Sequence, residues 1–181
     1  MKRTTFPMIV FLLLIFTSFS TVSYSVNLSL NAPTQVYFSP NGGTTQAIIK
    51  EINEAKSEIL VQAYSFTSTP IAKALVDTHK RGVKVEAILN KSQRKAQYTS
   101  ASFLANMRVP TFIDDKHAMA HNKIMIIDKT TVITGSFNFT KAAENNNAEN
   151  LLNIKSKELA NLCIDNWMKH REHSEPYQAR Y

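Results

Sequence analysis

Six residues between positions 121 and 138 form a fixed pattern, and four of them have side chains suited to cleaving a phosphate ester without a metal ion. Imidazole is a good nucleophile near neutral pH, and ammonium, hydroxyl and carboxamide groups can hold the oxygens of a phosphate. If each residue type fills about one position in twenty, six fixed positions match by chance about once in 10⁸ starting points. The six residues are His121, Lys123, Asp128, Gly135, Ser136 and Asn138.

Strand geometry accounts for the two-residue spacings within this motif. Side chains alternate between faces along a strand, so His121 and Lys123 are expected to point the same way. Ser136 and Asn138 are expected to share a face if their strand remains extended. A lone histidine is more often a core residue, but Lys123 on the same face argues against burial, because an unpaired buried ammonium is costly.

The two remaining motif residues are expected to be structural. Strand parity puts Asp128 off the His121 face, in a tight connection that predicts a hairpin between two strands. Gly135 would let the backbone approach the phosphate closely.

Short apolar runs alternate with amphipathic segments along the rest of the chain. This order predicts a single α/β domain, with a mixed, largely parallel sheet flanked by helices. The polar tail after residue 173 is expected to be loosely held. Strands are predicted at 35–38, 58–64, 83–89, 109–113, 123–127, 131–136 and 151–154, and helices after a turn at 41–43, at 70–81, at 92–106 and at 157–173.

The first 25 residues have the pattern of a secretory signal peptide. Lys2 and Arg3 precede an unbroken apolar run from Met8 to Phe16, and small polar residues follow up to Ser25. The run is shorter than the roughly 20 apolar residues that cross a bilayer, so we expect cleavage after Ser25 rather than a membrane anchor. The domain would then be residues 26–181, periplasmic or secreted, with no stable membrane insertion.

The charge of the chain favours polyanionic partners. The formal net charge is +7 at pH 7, and loss of Lys2 and Arg3 with the leader would leave it basic. Such a balance supports attraction to nucleic acid or anionic lipid. Cys163 is the only cysteine, which excludes an intrachain disulfide, and its helical surroundings indicate a buried structural thiol.

The motif, written H-x-K-x4-D-x6-G-S-x-N, resembles the signature of the phospholipase D superfamily. Its single copy, the short chain and the leader are most similar to the small bacterial secreted or plasmid-encoded endonucleases of that superfamily. The resemblance implies that His121 attacks phosphorus to give a phosphohistidine, which water resolves without a metal or other cofactor. It also implies that Lys123 and Asn138 hold the phosphate, and Ser136 matches the family serine.

The resemblance further implies a glutamate that orients the histidine, and Glu149 is the matching position. A carboxylate on one ring nitrogen of His121 would fix the tautomer and leave the other nitrogen free to attack. Glu144 is the alternative, but it falls in a helical stretch and is expected to face solvent.

A single motif is half of a site, because one group must attack and another must protonate the departing oxygen. The small members of the superfamily pair as twofold dimers with facing sites. The resemblance therefore implies a homodimer in which His121 of one subunit is the nucleophile and His121 of the other is the general acid.

The catalytic residues do not distinguish a nucleic acid substrate from a lipid. Lys91, Arg94 and Lys95 follow the strand predicted at 83–89, at the end where ligands bind in α/β sheets, although they also fit a solvated helix face. No amphipathic membrane-binding helix is visible. We therefore expect a non-specific endonuclease acting on DNA or RNA, with a phospholipase D-type lipid phosphodiesterase as the alternative.

Two further classes are less well supported. A metal-dependent nuclease could use Asp114, Asp115, His117 and His121 as ligands, but the two aspartates are more simply a polar turn after a strand, and we expect no metal. A non-catalytic basic binding module would leave the complete motif unexplained.

Overall fold

The computed structural model describes residues 26–28, 31–95 and 99–179, so the predicted leader and its cleavage site lie outside the described residues. The described helices include none that is long and apolar enough to cross a membrane. The strands are β1 (Thr34–Ser39), β2 (Glu58–Ala63), β3 (Lys84–Asn90), β4 (Thr111–Asp114), β5 (Lys123–Ile127), β6 (Thr131–Gly135), β7 (Glu149–Lys155) and β8 (Glu175–Pro176).

These strands form one sheet in the order β1-β7-β6-β5-β2-β3-β4-β8, with helices on both faces. A 3₁₀ turn follows β3 at Lys91–Arg94. The mixed α/β fold in one domain and the β5–β6 hairpin are therefore confirmed. The helices are α1 (Thr44–Glu54), α2 (Thr69–Lys80), α3 (Ser100–Asn106), α4 (Lys141–Asn145) and α5 (Lys157–His173).

The expectation that the sheet is largely parallel is wrong. Among the described strands, β2–β3 and β3–β4 are parallel, whereas β1–β7, β7–β6, β6–β5, β5–β2 and β4–β8 are antiparallel. Strand–helix alternation produces parallel pairs only where a helix carries the chain back across the sheet. After β4 a loop leads into β5 at the same end of the strands, so β5 runs antiparallel to β2.

Two other expectations need correction. The helix predicted at 92–106 begins at Ser100, because Gln93 is buried and its side chain accepts a hydrogen bond from the Phe66 backbone. The C-terminal tail was expected to be loosely held, but its described part, which ends at Ala179, is bound to the domain. The Tyr177 backbone donates to the Thr111 carbonyl at 2.8 Å, and its hydroxyl lies 2.8 Å from that of Ser102.

The apolar core lies on both faces of the sheet. The larger cluster packs beneath α1, α2 and α3, and the smaller one lies beneath α5. Trp167 anchors α5, because its indole is buried and donates to the Val61 carbonyl at 3.0 Å. Cys163 is half-buried against the smaller cluster, and burial raises the pKa of its thiol.

Asp128 joins the β5–β6 turn to the chain that enters β2. Its carboxylate accepts hydrogen bonds from the backbone amides of Lys56, Ser57 and Glu58 at 2.7–3.1 Å, and from the Ser57 hydroxyl. Asp128 and Lys129 both have positive φ, 51° and 57°, as a tight hairpin connection of this kind requires. Burial alone would raise the pKa of Asp128, but these hydrogen bonds outweigh it and lower the pKa.

Replacing Asp128 with asparagine tests this clamp, because asparagine tolerates the same backbone conformation but loses the charge. We expect the free energy of unfolding at pH 7 to fall by about 1–3 kcal/mol. A group with a lowered folded-state pKa stabilises the fold above its unfolded pKa and loses that effect as pH falls through the folded value. The difference between Asp128→Asn and the parent should therefore shrink below pH 4 in urea unfolding, and a constant difference would contradict the clamp.

Candidate active site

Lys123 begins β5 and is only 8% exposed, so the expectation that its ammonium would stay out of the protein interior is wrong. Its ammonium donates to the His121 carbonyl at 2.9 Å and lies 5.1 Å from the centre of the Tyr64 ring. Burial lowers the pKa of Lys123, and the nearby negative charge of Glu149 opposes that shift in part. Within the described residues no carboxylate forms an ion pair with this ammonium, so the charge remains available for an anion.

His121 is exposed and rests against an aromatic ring at the end of β2. The imidazole and the Tyr64 ring meet edge to face, with centroids 4.4 Å apart. The Tyr64 amide donates to the Asn122 carbonyl at 2.8 Å, which extends the β2–β5 pairing past the end of both strands. Tyr64 therefore positions both motif residues at one edge of the sheet.

Ser136 follows the last residue of β6 and is bound to β7. Its hydroxyl donates to the Asn150 side chain at 3.1 Å and accepts from the Asn150 amide at 3.0 Å. Gly135 permits this approach: its φ is +148°, and a Cβ there would lie 2.2 Å from the Asn150 carbonyl oxygen. The backbone at Gly135 therefore approaches the first residues of β7, and not only the space where a phosphate was expected.

Asn138 does not continue a strand. The chain leaves the sheet ladder after Gly135, and Phe137 and Phe139 turn into the core on either side of Asn138. Ser136 and Asn138 both follow the end of β6, so the condition for a shared strand face is not met. The side-chain oxygen of Asn138 is buried without a hydrogen-bond partner among the described residues. Such groups are rare in folded proteins, so a missing donor is indicated here.

The two glutamates considered for orienting His121 have other partners. Glu149 is the first residue of β7, and its carboxylate accepts from the Asn147 side chain at 3.0 Å. In the described part of the chain no hydrogen bond joins Glu149 to His121, although its charge acts on Lys123. Glu144 does not simply face solvent, because it accepts from the amides of Gly43 and Thr45 and caps α1.

A groove of about 510 Å³ lies beside Tyr64, between the 3₁₀ turn and the β4–β5 loop. Lys91, Arg94 and Lys95 line it, together with Met119. Arg94 is partly neutralised by Glu175 at 2.7 Å and Asp115 at 3.4 Å. Lys91 and Lys95 are exposed, so the groove presents positive charge beside Tyr64, the ring that contacts both His121 and Lys123.

Comparisons with known proteins agree with this geometry. The family model described as "Cardiolipin synthase, PLD-like domain" matches residues 48–170. A Rickettsia felis protein named phospholipase D is 37% identical over 148 residues, which cover 82% of this chain and 74% of that protein. The chain belongs to the phospholipase D superfamily.

Solved structures agree with this membership. Nuc, a phospholipase D family member from Salmonella typhimurium, aligns with a TM-score of 0.79 at 35% identity, over 82% of this chain and 99% of Nuc. NucT from Helicobacter pylori has the same fold, with a TM-score of 0.73 at 24% identity, over 81% of this chain and 99% of NucT. The protein is thus a phosphodiesterase of the phospholipase D superfamily.

Of the four ligands considered for a metal-dependent nuclease, only Asp114 and His117 come together. Asp114 and His117 meet two histidines of α5, whereas Asp115 pairs with Arg94. His121 is not part of that group. The sequence reasoning missed this cluster, because its two halves stand more than 50 positions apart.

Sequence reasoning also missed Tyr64 and Asn150. Tyr64 had a usable signal, since it is an aromatic residue directly after a buried strand. Asn150 had none, because its contact with Ser136 depends on the pairing of β6 with β7.

The lowered pKa of Lys123 predicts the alkaline limit of activity. The ammonium loses its charge as pH rises through its lowered pKa, so phosphate binding should begin to weaken at a pH below the ordinary lysine value of 10.5. We expect kcat/KM for bis(p-nitrophenyl) phosphate to decline in that alkaline range. Tyr64→Phe is the control, since it removes the neighbouring hydroxyl and retains Lys123. A profile whose alkaline limb disappears in Tyr64→Phe would assign the limb to the phenol instead.

Proposed function

We propose that the protein is a metal-independent endonuclease that cleaves DNA or RNA without sequence preference. The observation that carries this proposal is the basic groove beside His121 and Lys123. A phosphodiester strand lying in the groove would bring successive phosphates past Lys91 and Lys95 to the buried ammonium. Such contacts attract any nucleic acid backbone and read no bases.

In the proposed reaction a ring nitrogen of His121 attacks phosphorus, and one P–O bond of the diester breaks as the P–N bond forms. Lys123 and Asn138 hold the non-bridging oxygens as negative charge develops on them. Water then attacks the phosphohistidine, the P–N bond breaks, and the imidazole is released. One water is consumed for each diester cleaved into a monoester and an alcohol.

The departing oxygen needs a proton, and the second histidine for this step is proposed to come from another subunit. His121 is exposed, and the histidine–lysine pair has an open side. A twofold axis beside it would bring two copies of the pair together, one imidazole attacking while the other acts as general acid. The unpartnered Asn138 oxygen would find a donor in the completed site.

Ser136 and Glu149 have supporting roles in this proposal. Ser136 would bind phosphate through its hydroxyl only after giving up its hydrogen bond to Asn150, so we assign it chiefly to holding the loop that carries Asn138. Glu149 would reach the imidazole of His121 only after a side-chain movement, and in its present position it modulates Lys123.

A lipid phosphodiesterase is the second candidate, favoured by the relatives named phospholipase D. The catalytic residues would serve equally, because only the groups esterified to phosphate differ. Exposed Met119, at the groove, is an apolar side chain that a lipid could contact. The lysines of the groove favour the polyanion.

The leader-like N-terminus supports a proposed location in the periplasm or outside the cell. Substrates there would be nucleic acids that have left the cytoplasm. Fractionation of cells that express the full chain would test this, with the N-terminal residue of the exported form expected at position 26.

Plasmid cleavage by the mature protein in excess EDTA tests the reaction class. We expect nicking and then degradation of the plasmid, and His121→Ala should lower the rate by at least about 10³-fold, since the nucleophile is lost. Circular dichroism should verify that EDTA leaves the protein folded. If the protein cleaved the lipids of phosphatidylcholine–cardiolipin vesicles and left the plasmid intact, the lipid activity would be established instead.

Subunit mixing tests the shared site. If each site needs His121 from two chains, a roughly tenfold excess of His121→Ala should reduce the activity per wild-type chain to about one tenth after exchange. Excess of a folded variant that cannot pair, or of serum albumin, is the control. Activity that is unaffected by the inactive chain, or a fully active monomer on dilution, would contradict the dimer.

A further inference from the structure

A cluster of three histidines and one aspartate lies away from His121, where the end of α5 meets the end of β4. Three of the five histidines of the chain converge there. The four side chains form two pairs with the same spacing of three residues, one pair on each segment. They are Asp114 and His117 from β4 and its following loop, and His170 and His173 from the last turn of α5.

The carboxylate of Asp114 is the centre of the cluster and is completely buried. The Nδ1 atoms of His117 and His170 lie 3.0 and 2.7 Å from it, and Nε2 of His173 lies 3.3 Å from it. The ring centroids are 4.8–5.5 Å apart. All four potential ligand atoms fall within 4.8 Å of one another.

Hydrogen bonds account for only part of this arrangement. The Nδ1 atoms of His117 and His170 hydrogen-bond to the Asp114 carboxylate. Nε2 of His173 is buried, and among the described residues it has no hydrogen-bond partner of acceptable geometry despite its distance from Asp114.

We propose that these four side chains bind one zinc ion, and that the site is structural. Four-coordinate zinc takes imidazole and carboxylate ligands at about 2.0–2.2 Å, so its ligand atoms lie roughly 3.4 Å apart. The three nitrogen–carboxylate distances, 2.7–3.3 Å to one or the other oxygen of Asp114, are shorter than that value by up to about 0.7 Å, and the widest pair has to close by roughly 1.4 Å. Magnesium and calcium prefer oxygen ligands, whereas three imidazoles suit zinc.

The burial of the four residues fits a closed structural site. Asp114 is fully buried, and the side chains of His170 and His173 are 14% and 21% exposed. The side chain of His117 is 45% exposed, which gives an ion a path into the cluster. Four protein ligands leave no open position for substrate, so the ion would stabilise structure and take no part in cleavage.

The segments that the ion would join are already held next to each other. Pairing of β4 with β8 and the contacts of Arg94 with Asp115 and Glu175 flank the cluster on both sides. Little ordering is therefore needed before metal binds. The ion would fix the end of α5 to the β4–β5 loop, in which His117 stands four residues before His121.

Zinc binding is measured on tag-free mature protein, so that no added histidines contribute. We expect about one zinc per chain after dialysis against equimolar ZnCl₂ and then metal-free buffer, measured by mass spectrometry of metals. Removing zinc with a chelator should lower the unfolding temperature, and zinc at roughly 100 times its Kd should raise it by about 5–10 °C. MgCl₂ at the same concentration should have no such effect. Less than about 0.2 zinc per chain, with an unchanged unfolding temperature, would overturn the proposal.

Single substitutions identify the ligands. His170→Gln and His173→Gln should each lose the zinc and its stabilisation, and should unfold near the temperature of the stripped parent. His79→Gln, which removes a histidine of α2 outside the cluster, should keep both. Co²⁺ added to the parent should give the visible absorption of a four-coordinate site, absent in His170→Gln. Zinc retained by both cluster variants would overturn the assignment, and none of these readouts depends on catalysis.

Discussion

The Asp128 carboxylate sets the alignment on which the candidate active site depends. It holds the β5–β6 turn to the start of β2, and the pairing then runs from Ile59 with Ile127 to Ala63 with Lys123. Side chains alternate along a strand, so a slip of one residue would turn Lys123 to the opposite face. Asp128 stands roughly 17 Å along the strand from the lysine that it positions. A motif residue at the far end of the strand thereby positions the lysine that is proposed to bind phosphate.

This alignment places the Lys123 ammonium in a buried position beside the His121 carbonyl and the Tyr64 ring. Removing an amine from water disfavours its charge, as the lowered pKa indicates. The fold supplies partial compensation through the His121 carbonyl and the Tyr64 ring, without a closely paired carboxylate in the described residues. A phosphate oxygen would complete the pairing, so affinity for an anion is built into the folded state.

The elements that depend on neighbouring residues could be predicted from the sequence. The contacts that depend on pairing between distant segments could not. The hairpin and most strands follow from alternation and turn residues, and Asp128 was expected at the turn. The direction of β5 against β2 could not be read, because alternation is the same in parallel and antiparallel strands. Ser136 meets Asn150 only after β6 pairs with β7, and Asp114 meets His170 across 56 positions. Such contacts have no periodic signal in a single chain.

The β4–β5 loop links the two clusters, since it contributes His117 to one and leads into His121 in the other. Asp114 and Lys123 end and begin strands at the same edge of the sheet, but their side chains lie on opposite faces, beside α5 and beside the larger core. A closed zinc site and metal-free phosphoryl transfer are therefore compatible in one chain. Removal of zinc would loosen the loop that carries the nucleophile without removing any group that reacts. Loss of activity on chelation would then report stability, and it would not by itself identify a catalytic metal.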